Sequence, residues 1–216
     1  MKRIKDDFLT TISSVVVLHD AHILEIGCGT GARSVQIAAA CKQLTAIEPN
    51  ATLLEEARRS SATPNISYQH GTASNLPFPD SAFDIVLFTL SFHHVPIDSM
   101  PVAIDEAVRV VQSHGHVIFL EPAFEGSFFE SEIAFDACDG DERKEKACAY
   151  ENMLKHPQIQ QIAELPDETI FSFDSVQDFV DSLLPKKGSI EEIEQFLHAH
   201  DFVLNAKRRI NIFRPK

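Results

Sequence analysis

The sequence predicts an α/β fold built on one doubly wound, mostly parallel sheet. Three observations predict it. Short strand and helix patterns alternate from residue 21 to residue 121. The strand patterns are continuous apolar runs, as burial of both sheet faces requires. A glycine-rich turn, Gly27 to Gly31, joins the first strand to the first helix. The 216 residues, 44% hydrophobic and 24% charged, suit one globular domain.

Ala21 to Ile26 reads as the first strand, and the alanine-rich stretch Ala32 to Cys41 as a helix. Gln43 to Glu48 is a second strand. Asn50 can cap the next helix, whose Leu53, Leu54 and Ala57 share one face. Asn65 to Gln69 and Phe83 to Phe88 are the third and fourth strands. Pro101 stands near the start of a helix carrying Ile104, Ala107, Val108 and Val111, and Gly115 to Leu120 is the fifth strand. Right-handed crossovers between such units give the doubly wound topology.

The pattern changes after Pro122. Phe124 to Glu164 shows no clear strand and reads as one or two helices over the carboxyl edge of the sheet. Its phenylalanines read more readily as packing against the sheet than as lining a pocket. The run Asp139 to Lys146 reads as a solvated helix face. Thr169 to Phe173 is a short strand. Ser175 caps a helix with Val176, Phe179, Val180, Leu183 and Leu184 at helical spacing, and Ser189 with Glu192 forms a capping-box pattern. Ala206 to Phe213 is a last, antiparallel strand at the far side of the sheet. The expected organisation is a single domain, 1–216. Its parts are a core at 20–122, a helical insertion and substrate cap at 123–166, and the rest of the sheet at 167–216.

A formal net charge of -13 argues against phosphate backbones as partners, so no nucleic acid is expected. Lys207, Arg208, Arg209, Arg214 and Lys216 form one basic exception, read as a charged edge strand that resists pairing with other chains in preference to a small anion-binding patch. Cys28, Cys41, Cys138 and Cys148 make no C-x-x-C pair and no zinc spacing, so no metal is expected. Unpaired cysteines suit a reducing cytoplasm. No signal-peptide core and no membrane span is expected.

The chemistry concentrates in three segments. Gly27, Gly29 and Gly31 let backbone approach a ligand closely, at the start of a helix. Alone they also satisfy the dinucleotide pattern Gly27-x-Gly29-x-x-Ala32. Glu48 ends the next strand, where a carboxylate can accept hydrogen bonds from ribose hydroxyls. Both features fit NAD as well as S-adenosylmethionine. The third segment, GTASNLPFPDSAFDIVLFTLSFHHV from Gly71 to Val95, separates the two. Together the three resemble the class I S-adenosylmethionine-dependent methyltransferases, and more narrowly the branch that includes the ubiquinone and menaquinone biosynthesis enzymes. The resemblance covers residues 20 to 122.

It implies a seven-stranded Rossmann-like sheet, S-adenosylmethionine as cofactor and methyl transfer to a small molecule. Glu25 matches the family's acid that helps hold the methionine ammonium. Gly27, Cys28, Gly29 and Gly31 would line the methionine portion. Glu48 would hold the ribose, with Pro49 beside the adenine. Thr72 and Ala73 would sit at the adenine edge, and Thr89, Leu90 and Ser91 near the methionine group. Thr72 departs from the family, which usually places aspartate there. A threonine hydroxyl still accepts a hydrogen bond, without charge. Asp84, acidic within an apolar run, reads as structural, bonding backbone at the strand's start.

His93 and His94 follow the fourth strand and could take a proton from an acceptor. The alternative is that one packs and the other is solvated. Glu121, ending the fifth strand, is a comparable candidate; otherwise it binds substrate or caps a backbone turn. Two other functional readings remain: a cofactor-binding protein or inactive partner subunit with this fold, and an NAD-dependent oxidoreductase, which leaves Gly71 to Val95 unexplained.

Overall fold

The five apolar runs of the core form parallel strands: β2 (His22–Ile26), β3 (Gln43–Glu48), β4 (Ile66–His70), β5 (Phe83–Thr89) and β6 (Val111–Pro122). They are seen in a computed structural model, which describes residues 1–60 and 63–216. Their apolar continuity has a direct cause. Side chains alternate across a strand. Leu24, Val86 and Phe88 enter one core with Ile104 and Ala107, while Ile23, Ile85 and Leu87 enter another with Phe8, Ile12 and Ile37. Both faces are dry, so both sets must be apolar.

Helices α2 (Ser34–Ala40), α3 (Ala51–Ser60) and α4 (Met100–Val110) connect these strands. Asn50 caps α3 as expected, its Oδ1 accepting from the N–H groups of Thr52 and Leu53 at 2.9 and 3.3 Å. Val111 is not helical: its backbone is extended and it opens β6. Asp84 is structural, accepting from the His22 N–H at 2.8 Å and tying the start of β5 to that of β2. The chain moves outward from β2 through β3 to β4, then returns to β5 on the other side of β2. Order therefore reverses between β2 and β5, which is where ligands bind in open α/β sheets.

The second half departs from expectation. Helices α5 (Ser127–Phe135) and α6 (Arg143–Lys155) form the insertion, but β7 (Ile159–Ser172) begins well before residue 166 and is fourteen residues long. The sequence shows only its end, because Pro166 and several charged residues interrupt the apolar pattern. Pro166 falls where only one neighbour pairs with the strand, the place where a missing N–H is tolerated. Helices α7 (Val176–Leu183) and α8 (Ile190–Ala199) follow, capped by Ser175 and by the Ser189–Glu192 box.

Strand β8 (Val203–Pro215) lies between β7 and β6, antiparallel to both. It is an interior strand, so its basic residues do not protect an edge. The edge is β1 (Lys2–Asp6), which pairs antiparallel with β7. The sheet thus has eight strands, in the order β1-β7-β8-β6-β5-β2-β3-β4, one more than expected. A short helix, α1 (Phe8–Ser13), returns the chain to the core through buried Phe8 and Ile12. Among the described residues no helix is long and apolar enough to cross a membrane.

Candidate active site

A cleft of about 750 Å³ opens over the carboxyl ends of β2, β3 and β5. Every residue expected to meet the cofactor lines it except Glu25 and Gly31. The glycine turn forms one wall. Gly27 has φ of +77°, and a Cβ there would lie 2.5 Å from Ser91 Cβ. The Ser91 hydroxyl donates to the Ile26 carbonyl at 2.5 Å, which locks the turn after β5 against the turn after β2. Leu90 holds a left-handed conformation, φ +57°, that a branched side chain rarely adopts. Such strain persists where surrounding bonds enforce it, here the Leu90 N–H to Leu120 carbonyl bond of 2.8 Å.

Glu25 does not reach the cleft. It is fully buried and accepts from Ser34 Oγ at 2.5 Å and Thr89 Oγ1 at 2.7 Å. Burial pushes its carboxyl up, against the pull of those two hydroxyls and of Arg33. Its visible role is to orient Thr89, which lines the cleft. Glu48 does line it. Its Oε2 accepts from the Gly29 N–H and its Oε1 from the Asn50 N–H, both at 2.9 Å. Each oxygen keeps further acceptor capacity for a ligand hydroxyl. The Cys28 thiol is pushed well up by burial and by the charges of Glu25 and Glu48, which suits a small filler and not a nucleophile.

The three candidate catalytic residues separate. Phe92 is fully buried against Phe88 and Phe119, with ring centroids 5.2 and 4.8 Å away, and anchors the short turn Phe92–His94. Glu121 then caps that turn. It accepts from the N–H groups of Ser91, Phe92 and His93 at 3.1, 2.9 and 3.3 Å, and pairs with His93 Nδ1. His93 is only 3% exposed and does not line the cleft. His94 does, with its side chain half exposed. Its Nδ1 lies 3.3 Å from Glu142 Oε1.

Removing the Glu121 cap would strand three backbone donors and an imidazole in a dry site. Glu121→Ala is expected to lower unfolding free energy by about 3 kcal/mol, measured by urea titration.

Glu142, immediately before α6, carried no recognisable signal; it sits in the run read as a solvated face. That reading fails for Lys146, which is 5% exposed and pairs with Glu132 and Glu142 at 3.4 and 3.5 Å. The hydrogen bond that His94 donates to Glu142 raises the His94 pKa; burial opposes it, and the charges of Glu142, Asp139 and Glu121 add to it. Burial would raise the Glu142 carboxyl, but His94, His93 and Lys146 bring it down to about 2. His93, His94 and Glu142 also offer atoms within 4.8 Å of one another, a spacing that could hold a metal ion. The Lys146 ammonium and the Glu121–His93 pair already occupy part of that donor set.

Two more cleft residues, Arg3 and Arg33, were not anticipated. Arg33 ends the glycine segment, but nothing in its spacing marks it. Arg3 reaches the cleft only because β1 joins the sheet. The insertion's phenylalanines stay out of it: Phe128 packs on Phe171 and Phe135 on Phe179.

Residues 24–119 match the family described as "Methyltransferase domain". The malonyl-[acyl-carrier protein] O-methyltransferase of Pectobacterium atrosepticum is 33% identical over 138 residues, covering 62% of this chain and 53% of that protein. The chain spans about half the length of the curated relatives it matches. A putative type II methyltransferase from Anaeromyxobacter dehalogenans shares the fold over 99% of this chain and 97% of its own, with a TM-score of 0.70 and 16% identity. The N-methyltransferase NodS from Bradyrhizobium japonicum, solved with S-adenosyl-L-homocysteine, does so over 96% and 83%, with a TM-score of 0.57 and 17% identity. Over residues 24–119, therefore, the chain is similar to methyltransferase domains.

Proposed function

We propose that the chain binds S-adenosylmethionine in this cleft and transfers its methyl group to a small molecule. One observation carries the reading: within a methyltransferase domain, the glycine turn, Glu48 and the Thr72–Ala73 segment line one cleft at the reversal of strand order. In this reading Glu48 holds the ribose hydroxyls, Pro49, Thr72 and Ala73 the adenine, and Gly27 to Gly29 with Thr89 to Ser91 the methionine end; their lining of one cleft supports it. The bound cofactor supplies an electrophilic methyl group. The chain must align the acceptor, exclude water and, for some acceptors, take a proton.

His94 is the candidate base, because it alone of the three candidates lines the cleft. Glu142 orients its ring. Glu121 and His93 build the turn that presents it. Residues 123–158 are read as a cap, since Asp139 lines the cleft and Glu142 grips His94. The acceptor is read as a small molecule because the cleft is one pocket under this cap. Titration calorimetry with S-adenosylmethionine, S-adenosylhomocysteine and NAD tests the cofactor; binding of NAD alone would sink the reading. Transfer of labelled methyl from the cofactor into a metabolite extract tests turnover.

The base assignment has a pH signature. His94 must be neutral to accept a proton, and Glu142 raises its pKa. Turnover should therefore fall as pH drops through that raised value. Glu142→Gln should move this acid limb to lower pH while reducing the plateau rate roughly tenfold, through a weaker, less oriented base. An unmoved limb in the kcat profile would remove His94 from the mechanism.

A further inference from the structure

Beside the cleft lies a second hollow of about 400 Å³, lined by His93, His94 and Glu142 together with Asp98 and Glu145. No lysine or arginine lines it among the described residues. His94 also lines the cleft, so it stands in the wall between the two spaces.

The pairs at this wall leave three donors able to converge. Glu121 accepts from three backbone N–H groups and meets His93 at Nδ1, so Nδ1 carries the proton. In a neutral imidazole Nε2 then keeps its lone pair. That nitrogen faces Glu142 Oε2 at 3.8 Å, too far for a hydrogen bond. His94 Nδ1 lies 3.3 Å from Glu142 Oε1. Ligand atoms of the three residues fall within 4.8 Å of one another. Two ligands on a tetrahedral zinc ion stand roughly 3.4 Å apart, so closure asks for side-chain shifts of about 1–1.5 Å at most. Glu121 holds His93 where metal-binding imidazoles keep their outer carboxylate, on the other ring nitrogen. Nothing in the sequence marks this set, because tertiary packing brings Glu142 to the histidines.

We propose that His93 Nε2, His94 Nδ1 and Glu142 form a binding site for a divalent transition metal, best fitted by zinc, with water from the hollow as fourth ligand. Two imidazoles and a carboxylate suit zinc over magnesium. Lys146 sets the strength. Its ammonium lies 3.5 Å from Glu142 Oε2 and repels a cation there, which makes the ion exchangeable and not a fixture of the fold. One consequence rests on the reading of His94 as the base; the site itself does not. With zinc on Nδ1, the proton of a neutral His94 sits on Nε2, and the ring has no lone pair left to take one from an acceptor. Zinc then inhibits turnover, and its removal restores it.

Titration calorimetry of the whole chain, first treated with chelator, tests the site with zinc and with magnesium as control. Wild type should bind one zinc ion here and magnesium at least about tenfold more weakly. His94→Ala and Glu142→Gln should each weaken this event more than about tenfold, since even an outer partner of a metal ligand is worth about 10- to 100-fold. Lys146→Met should tighten it at least about tenfold; if that variant fails to fold, the two ligand variants decide. Cobalt(II) in place of zinc should show the visible absorption of a four-coordinate site with no thiolate band, which separates it from the free cysteines.

Zinc binding that is the same in wild type, His94→Ala and Glu142→Gln places the ion on other histidines or thiols and overturns the proposal. So does a wild type that binds no zinc, with His93 then an imidazolium bridging Glu121 and Glu142. Neither result touches the cofactor reading. In the labelled-methyl assay, zinc should inhibit in step with its occupancy, and EDTA should reverse it. Binding at these residues without inhibition keeps the metal site and removes His94 as base. The binding results decide the site whether or not turnover is detected.

Discussion

Gly29→Val is expected to leave the fold standing and to weaken S-adenosylmethionine binding at least about 100-fold, roughly 2.7 kcal/mol. Gly29 differs from its neighbours in what surrounds it. A Cβ at Gly27 would strike Ser91 at 2.5 Å, and one at Gly31 would strike Tyr68 Oη at 2.6 Å. A Cβ at Gly29 would meet nothing within 4 Å. That empty direction belongs to a residue lining the cleft, so added carbons would stand in space read as the cofactor's. The backbone adds a second effect. Gly29 has φ of +54°, where a side chain costs about 1–2 kcal/mol. If the turn relaxes to relieve this, it breaks the 2.9 Å bond from the Gly29 N–H to Glu48 and loosens the carboxylate assigned to the ribose. Calorimetry with S-adenosylhomocysteine and urea unfolding, run together, check both halves. Gly27→Ala provides the contrast, because its clash is internal and should lower stability first. Gly29→Val binding within threefold of wild type would mean that the ligand does not pass over this turn.

The legibility of this result follows from where its causes lie in the chain. Gly27, Gly29 and Glu48 were readable because they serve a motif confined to one βαβ unit. The strands from β2 to β6 were readable because burial on both faces leaves an uninterrupted apolar signature. Strand β1 was not. KRIKD has one apolar residue, and its partner lies in β7, more than 160 residues away. Nothing local could announce that pairing. Most of β7 was hidden too, so β8 looked like an edge and its buried arginine like a device against pairing with other chains. Glu142 was hidden similarly: its meaning depends on His94, brought to it by the packing of α6 against the Phe92–His94 turn. Sequence showed which end of the sheet carries the site. It could not show which charges the second half of the chain would deliver there.

Arg208→Met is expected to be the most destabilising of these substitutions, lowering unfolding free energy by about 3–5 kcal/mol. The Arg208 side chain is 1% exposed on interior strand β8. Its Nε donates to Asp167 Oδ2 at 2.6 Å, its Nη2 contacts Glu168 O at 3.3 Å, and its charge meets Asp6 at 2.7 Å. Its guanidinium carbon also lies 6.0 Å from the Phe8 ring centroid. Removing this cation leaves Asp167, 4% exposed, a buried anion held among the described residues only by the Thr11 hydroxyl, and leaves Asp6, 5% exposed, with the longer pairs to Arg3 and Arg33 at 3.4 and 3.8 Å. Methionine replaces the aliphatic stem but none of the charge, so the loss is electrostatic and not a cavity. The control follows from the same physics. Desolvation opposes a buried ion pair nearly as strongly as the pair's attraction favours it. The triple variant Asp6→Asn, Asp167→Asn, Arg208→Met should therefore recover most of the stability that Arg208→Met loses. Urea unfolding of both variants measures this, and a loss below 1 kcal/mol for Arg208→Met would show that water relaxes the cluster. The effect should also reach the cleft. Asp6 ends β1, and β1 carries Arg3 to the cleft wall; a strand loosened at Asp6 withdraws that cation from the cleft.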